Sequence, residues 1–249
     1  MKSKFYIIIL HVMFISCINN SELIVLGHRG AMGYAVENTL TSIEKAIELG
    51  VDGIEIDVFR CLTGELVVFH DKSVEKLTNG EGFIEQLSLD SIKKLIVSDN
   101  EKIPTLNEVL DLVDGKMMLN IELKGKNTSF LTHQILNSYF KSSNWKKENI
   151  IISSFIWPEL RAFYQLNKDI KIGILIKKDD PLKAIPIAKE LKAFSINPEH
   201  ILLTKLNAAK IRAENFKIYT WTVNKVKDIN RIKKIGVDGI ISDYPDRVR

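Results

Sequence analysis

Cysteine is scarce in this chain, which holds Cys17 and Cys61 and no other among its 249 residues. Two cysteines exclude a disulfide framework, and nothing beside Cys61 marks it as the lowered-pKa thiol that cysteine catalysis needs, so it reads as packing. Long hydrophobic runs are missing as well. The N-terminal apolar run, from Phe5 to Ile15 with His11 interrupting it, is shorter than the ~20 residues of a membrane span. Neither sign of charge dominates. Thirty-five basic against 31 acidic residues give +4, and without Lys2 and Lys4 the basic count falls to 33. With no basic run and no basic patch interleaved with aromatics, a nucleic-acid partner is not expected.

The N terminus carries a targeting pattern. Lys2 and Lys4, the short apolar run, Ser16-Cys17 and the polar Ile18-Asn19-Asn20-Ser21 predict a signal peptide over residues 1–16 and a tether over 17–22. Phe14-Ile15-Ser16-Cys17 resembles the bacterial lipoprotein box, with Phe14 in place of the usual Leu. The expectation is an exported protein held on the membrane by lipid on Cys17, or otherwise periplasmic or secreted.

The chain is long enough for one large domain or two small ones, and 45% hydrophobic with 27% charged residues is globular composition; its strand pattern assigns 23–249 to one barrel domain. Short β-branched runs alternate with amphipathic helical ones, the mark of βα units around a parallel sheet. Strands are predicted at Leu23–Leu26, Gly53–Arg60, Met118–Leu123, Ile150–Ser153, Lys171–Ile176, Ala193–Ile196, Lys217–Val223 and Gly239–Ser242, with helical patterns between them, among them one over Ile201–Glu214. Eight strands in a chain of this length predict the α/β class and a closed (β/α)8 TIM barrel, with an open doubly wound sheet as the alternative. Residues 71–104 interrupt the alternation and read as a small irregular insertion after the second strand, with a short helix over Ser88–Ile96. Gly50-Val51-Asp52-Gly53-Ile54 recurs as Gly236-Val237-Asp238-Gly239-Ile240, so one αβ turn is expected twice.

The chemistry gathers at strand ends, where such a barrel carries its site. In Gly53–Arg60 the period of two sets Glu55 and Asp57 on one face. Too few residues separate this strand from Leu66–Phe69 for a parallel crossover, so the second arm returns as a hairpin that brings His70 near the acids. The first strand runs into His28-Arg29, the third into Glu122-Leu123-Lys124. Carboxylates at about 4 Å repel by roughly 4 kcal/mol at an effective dielectric of 20, a cost that a cation turns into attraction. Two histidines, three acids, Arg29 and Lys124 on one rim suit a divalent metal, Mg²⁺ or Ca²⁺ by its oxygen donors, together with a phosphate held by the basic side chains. Histidines titrating near 6.5 can exchange protons at neutral pH.

The motifs resemble the glycerophosphodiester phosphodiesterase family. His28-Arg29-Gly30 with Glu37-Asn38-Thr39, Glu55-Ile56-Asp57-Val58, Val68-Phe69-His70-Asp71, Glu122-Leu123-Lys124, Trp221-Thr222-Val223-Asn224 and Gly239 to Pro245 occur in family order. Val36 departs from the usual proline. The resemblance implies a (β/α)8 barrel with an insertion after its second strand. It implies His28 and His70 as the acid/base pair, Glu55, Asp57 and Glu122 as ligands of one Mg²⁺ or Ca²⁺, and Arg29 and Lys124 as phosphate contacts. Trp221 and Phe155 are implied to pack against the apolar part of the substrate. The implied reaction is hydrolysis of a glycerophosphodiester to glycerol 3-phosphate and an alcohol. Rival readings are a phospholipase of the related barrel type and an inactive surface protein that captures phosphodiesters.

Overall fold

The structure is a computed structural model describing residues 22–249; the signal peptide, Cys17 and all but the last residue of the tether lie outside the described residues. Nine strands make one sheet: β1 (Ile24–His28), β2 (Gly53–Arg60), β3 (Leu66–Val68), β4 (Met118–Leu123), β5 (Ile150–Ser154), β6 (Lys171–Ile176), β7 (Ser195–Pro198), β8 (Lys217–Thr220) and β9 (Gly239–Ser242). Their order is β1-β9-β8-β7-β6-β5-β4-β2-β3, and β1 also pairs with β2. All strands but β3 are therefore parallel members of a closed eight-stranded barrel, and the doubly wound alternative is excluded. β3 is antiparallel, with Val58 opposite Val68.

The period of two decides which side chains go inward. Ile54, Ile56 and Val58 of β2, like Ile121, Ile152, Ile174 and Ile196, turn outward into the main core under the helices. Fully burying such a side chain contributes roughly 1.5–3 kcal/mol. The alternate positions face the barrel axis. Leu26, Tyr219 and Ile241 pack together there, while Asn120, Ser153, Ser195 and Asn197 are buried polar residues. The outer layer is α1 (Leu40–Glu48), α3 (Leu106–Val113), α4 (Ser129–Ser142), α5 (Trp157–Leu166), α6 (Ile185–Glu190), α7 (Lys205–Ala213) and α8 (Val226–Ile235); α2 (Leu89–Lys94) belongs to the insertion. β9 is followed by the short 3₁₀ turn Pro245–Val248.

The repeated turn is a clamp at the bottom of the barrel. Gly50 and Gly236 both have positive φ, 68° and 80°, the left-handed conformation that glycine adopts at least cost. Asp52 then accepts the backbone N–H of Val25 at 2.7 Å, and Asp238 that of Ile218 at 2.9 Å. Each aspartate thus ties down the first residues of the neighbouring strand.

Four expectations shift. β8 ends at Thr220 rather than Val223. β7 begins at Ser195 rather than Ala193, because Lys192 sits at φ 45° and delays entry into the sheet. The expected helix Ile201–Glu214 is cut by Thr204, whose hydroxyl and Asn207 form a capping box that starts α7 at Lys205. The insertion is ordered around its own apolar cluster, Val74, Ile84, Ile92, Val97 and Ile103 with Phe59, Val67 and Phe69 of the hairpin. Phe59, on the charged face of β2 by alternation, lies beyond the barrel rim and becomes part of that cluster. Cys61 is buried with it and its thiol meets Glu65 at 3.2 Å.

Candidate active site

Register builds the acid cluster. Asp57 of β2 lies opposite Glu122 of β4, Glu55 is two residues back on the same face, and one oxygen of each carboxylate lies within 4.8 Å of the others. All three residues are buried, at 4%, 1% and 8% exposure, so water does little to shield their repulsion. Burial and the charges of Asp57 and Glu122 raise Glu55 well above the usual carboxylate range. Burial and Asp57 likewise push Glu122 up to about 7. Asp57 goes the other way: burial works against its charge, but Lys124, Arg29, His70 and the Asn38 amide outweigh it and hold it low. Lys124 Nζ is 3.0 Å from Glu122 and 3.6 Å from Asp57. Three convergent oxygen donors, two of them held away from ionisation by burial and by the charge of Asp57, fit a hard divalent cation.

The edge of β2 explains how Asp57 is fixed. β1 pairs with Gly53 to Glu55 and β3 takes over only from Val58, which leaves the backbone between them without a strand. Asn38 fills the gap with its side chain. Its Oδ1 accepts the N–H of Asp57 at 3.2 Å, and its Nδ2 donates to the Asp57 carboxylate at 2.9 Å. Asn38 therefore acts as a strut for Asp57, and Thr39 is the residue that caps α1. Arg29, at φ 51°, donates its backbone N–H to Glu55 at 3.0 Å. Its Nη1 donates to Glu37 at 2.6 Å, and Nε sits 3.3 Å from Asp57 as an ion pair without hydrogen-bond alignment.

Both histidines are held by an aspartate through Nδ1. His28 meets Asp243 Oδ1 at 2.6 Å. Burial opposes the charge of Asp243, yet His28 and Asn224 keep its pKa below the usual value, so the carboxylate accepts and His28 carries its proton on Nδ1. Asn224 fixes Asp243 in turn, donating to Oδ2 at 2.6 Å and accepting the Asp243 N–H at 2.9 Å. Nε2 of His28 is then left facing the acids, 3.9 Å from Glu55. His70 lies two residues beyond the β3 ladder and meets Asp71 at 2.7 Å; Lys76 donates to the second oxygen of Asp71 at 3.2 Å. Burial lowers the pKa of His70, against the pull of Asp57.

These groups share a cavity of about 100 Å³ lined by His28, Arg29, Glu55, His70, Glu122 and Lys124, with Asn120 and Ser153 also in its lining. Phe155, Leu175, Lys177 and Trp221 also line it, and Thr222 and Ile241 complete it. Phe155 and Trp221 meet edge to face at 5.4 Å, and the Trp221 indole donates to the carbonyl of Asn197 at 2.9 Å. The structure thus brings together every residue singled out by sequence; Asp57 lies directly behind the lining. Sequence reasoning gave no role to Asp243, Asn224, Asp71 or Lys177. For the first three the signal was there, as polar residues inside or next to the strand-end motifs; for Lys177 it was only its place directly after the predicted strand Lys171–Ile176.

A closed (β/α)8 barrel whose rim holds a cluster of three convergent acids, two buttressed histidines and two basic side chains defines an enzyme site for a small anionic substrate. Residues 28–247 match the glycerophosphoryl diester phosphodiesterase family, and the chain belongs to it. A glycerophosphodiester phosphodiesterase of Caldanaerobacter subterraneus subsp. tengcongensis is 35% identical over 235 residues, 90% of this chain and 96% of the relative. Among solved structures, a phosphodiesterase of Oleispira antarctica in complex with the product sn-glycerol-3-phosphate superposes with a TM-score of 0.83 at 27% identity, covering 90% of this chain and 94% of that one. The glycerophosphodiester phosphodiesterase of Thermotoga maritima gives 0.74 at 28% identity, covering 90% and 96%.

Proposed function

We propose that the protein hydrolyses glycerophosphodiesters to glycerol 3-phosphate and an alcohol, with His28 and His70 exchanging the protons. The observation that carries this reading is that both imidazoles are anchored at Nδ1 by aspartates and line the same small cavity as the acid cluster. Glu55, Asp57 and Glu122 hold one Mg²⁺ or Ca²⁺, which when bound supplies charge neutralisation and polarises the phosphoryl group. Arg29, which keeps donors beyond the one given to Glu37, and Lys124 face the phosphate oxygens. One histidine accepts a proton at Nε2 from the nucleophile, which is water or first the substrate's own glycerol hydroxyl with water then opening the cyclic phosphate, and the other delivers a proton from Nε2 to the departing alkoxide as its P–O bond breaks. Asp243 and Asp71 stabilise the imidazolium that each step requires. The glycerol half lies toward Asn120 and Ser153, whose Oδ1 and Oγ have no protein partner among the described residues and can meet its hydroxyls. Phe155 and Trp221 pack against the carbon skeleton.

The experiment is a release assay on glycerophosphodiesters with several head groups and on intact phosphatidylcholine, with and without chelator. Metal-dependent release of glycerol 3-phosphate supports the reading. Release from the intact lipid alone would favour the phospholipase reading, and no release from any of them would leave a phosphodiester-binding protein. We propose further that the enzyme is exported and anchored through lipid on Cys17, on the strength of the N-terminal pattern. The native protein expressed in bacteria should then take up radioactive fatty acid and Cys17→Ala should not; unlabelled native protein in the periplasm would sink the anchor alone.

A further inference from the structure

Phe155, Leu175 and Lys177 line the cavity and also line an open groove beside it, whose other walls include Trp157, Asp179 and Lys183. A substituent too large for a cavity of about 100 Å³ passes Lys177 on its way into that groove. The charges along this passage are unequal. Asp179 lies 2.8 Å from Lys183 and is neutralised by it. Lys177 forms no such ion pair with any carboxylate among the described residues, and its ammonium sits 4.7 Å from the centroid of Phe155. Lys124 lies against the same ring, at 5.9 Å.

Quaternary and primary ammonium groups are recognised by the faces of aromatic rings. Here the Phe155 ring beside the passage already has two ammonium groups against it. A choline or ethanolamine head group finds its natural aromatic contact contested and a like charge next to it. An uncharged polyol or an anionic head group meets a lysine able to donate. We infer that Lys177 sets head-group preference, so that diesters of uncharged or anionic alcohols are used in preference to those of choline and ethanolamine; this rests on the reaction proposed above.

The test compares kcat/KM for glycerophosphoglycerol and glycerophosphocholine in the wild type, Lys177→Met and Lys177→Glu. Any effect on the phosphate is common to both diesters and cancels in the ratio. The ratio should favour glycerophosphoglycerol by about tenfold in the wild type, equivalent to about 1.4 kcal/mol. It should approach one in Lys177→Met and fall below one in Lys177→Glu. Because Lys177 is exposed, the wild-type ratio should also shrink as added salt shortens the Debye length from about 10 Å at 0.1 M. Equal use of the two diesters by the wild type, or one ratio shared by all three proteins, overturns the inference while leaving the reaction standing. Failure to turn over either diester overturns the reaction itself and the inference with it.

Discussion

On the β1, β2 and β4 side of the cavity almost every polar group is held by a second side chain: Asp57 by Asn38, His28 by Asp243, Asp243 by Asn224, Arg29 by Glu37. On the β5, β6 and β8 side the contacts are an edge-to-face aromatic pair, one indole hydrogen bond and a lysine against a ring. Proton transfer needs donor and acceptor within about 3 Å, so the first side cannot tolerate slack. In the proposed reaction the second side meets carbon skeletons and head groups, where non-directional contact suffices. The contrast assigns rate to one wall and selectivity to the other, and it can be broken from either.

The largest effect expected is on the constrained wall. Chelation should bring turnover to the background of the assay, and Mg²⁺ or Ca²⁺ should restore it; rescue by Zn²⁺ alone would contradict an all-oxygen site. His28→Ala and His70→Ala should follow, each lowering kcat by at least about 10²-fold in a protein with unchanged circular dichroism. Turnover retained by either variant would remove that histidine from the proton transfers.

The same wall should show in stability. Glu55 is raised well above its usual pKa and Glu122 to about 7, so the metal-free folded state holds protons that the unfolded state has already released. Stability of the chelated protein must then fall as pH rises from about 4.5 through 7. The histidines whose folded pKa is lowered, His70, His133 and His200, oppose this trend while their unfolded forms still lose protons around pH 6.5, and are neutral in both states only above about pH 7.5. The net loss between pH 6.5 and 8 should be roughly 1 kcal/mol in urea titrations, and saturating cation should remove it. A flat profile would mean that the carboxylates do not repel as their geometry implies. Asp243→Asn should be milder, lowering kcat roughly tenfold with KM little changed, since Asn224 and the backbone keep the side chain in place while His28 loses its fixed tautomer. The smallest effect belongs to the open wall: Trp221→Ala should raise KM about threefold and leave kcat nearly intact. A drop in kcat as large as that of Asp243→Asn would erase the division between the walls.

Much of the barrel is readable from period alone, because strands packed under helices alternate Ile and Val with interior residues. The acids of β2 follow from the same alternation, and His70 from the shortness of the hairpin. The supports do not. Asp243 reaches His28 only because β1 lies beside β9 with Gly27 opposite Ser242, a pairing of residues 215 positions apart that no local pattern encodes. Asn38 looks like part of a helix start until the gap in the β2 edge is seen. The insertion reads as irregular because its apolar residues follow neither period, and their common core emerges only when the hairpin supplies its floor.

The bottom clamp also decides from which pole of the barrel the described chain leaves. Ile24 donates its N–H to the carbonyl of Asp238, and Arg249 reaches Asp52 at 3.1 Å, so both ends of the described chain leave from the barrel floor. β1 then carries the chain roughly 15 Å, five residues at about 3.3 Å each, before His28 appears at the mouth. Whatever precedes Glu22 is therefore attached to the pole opposite the cavity. On the proposed lipid anchor, a barrel moored by that end would turn its mouth away from the mooring, toward diesters arriving by diffusion from the surrounding fluid and away from the lipid beneath it.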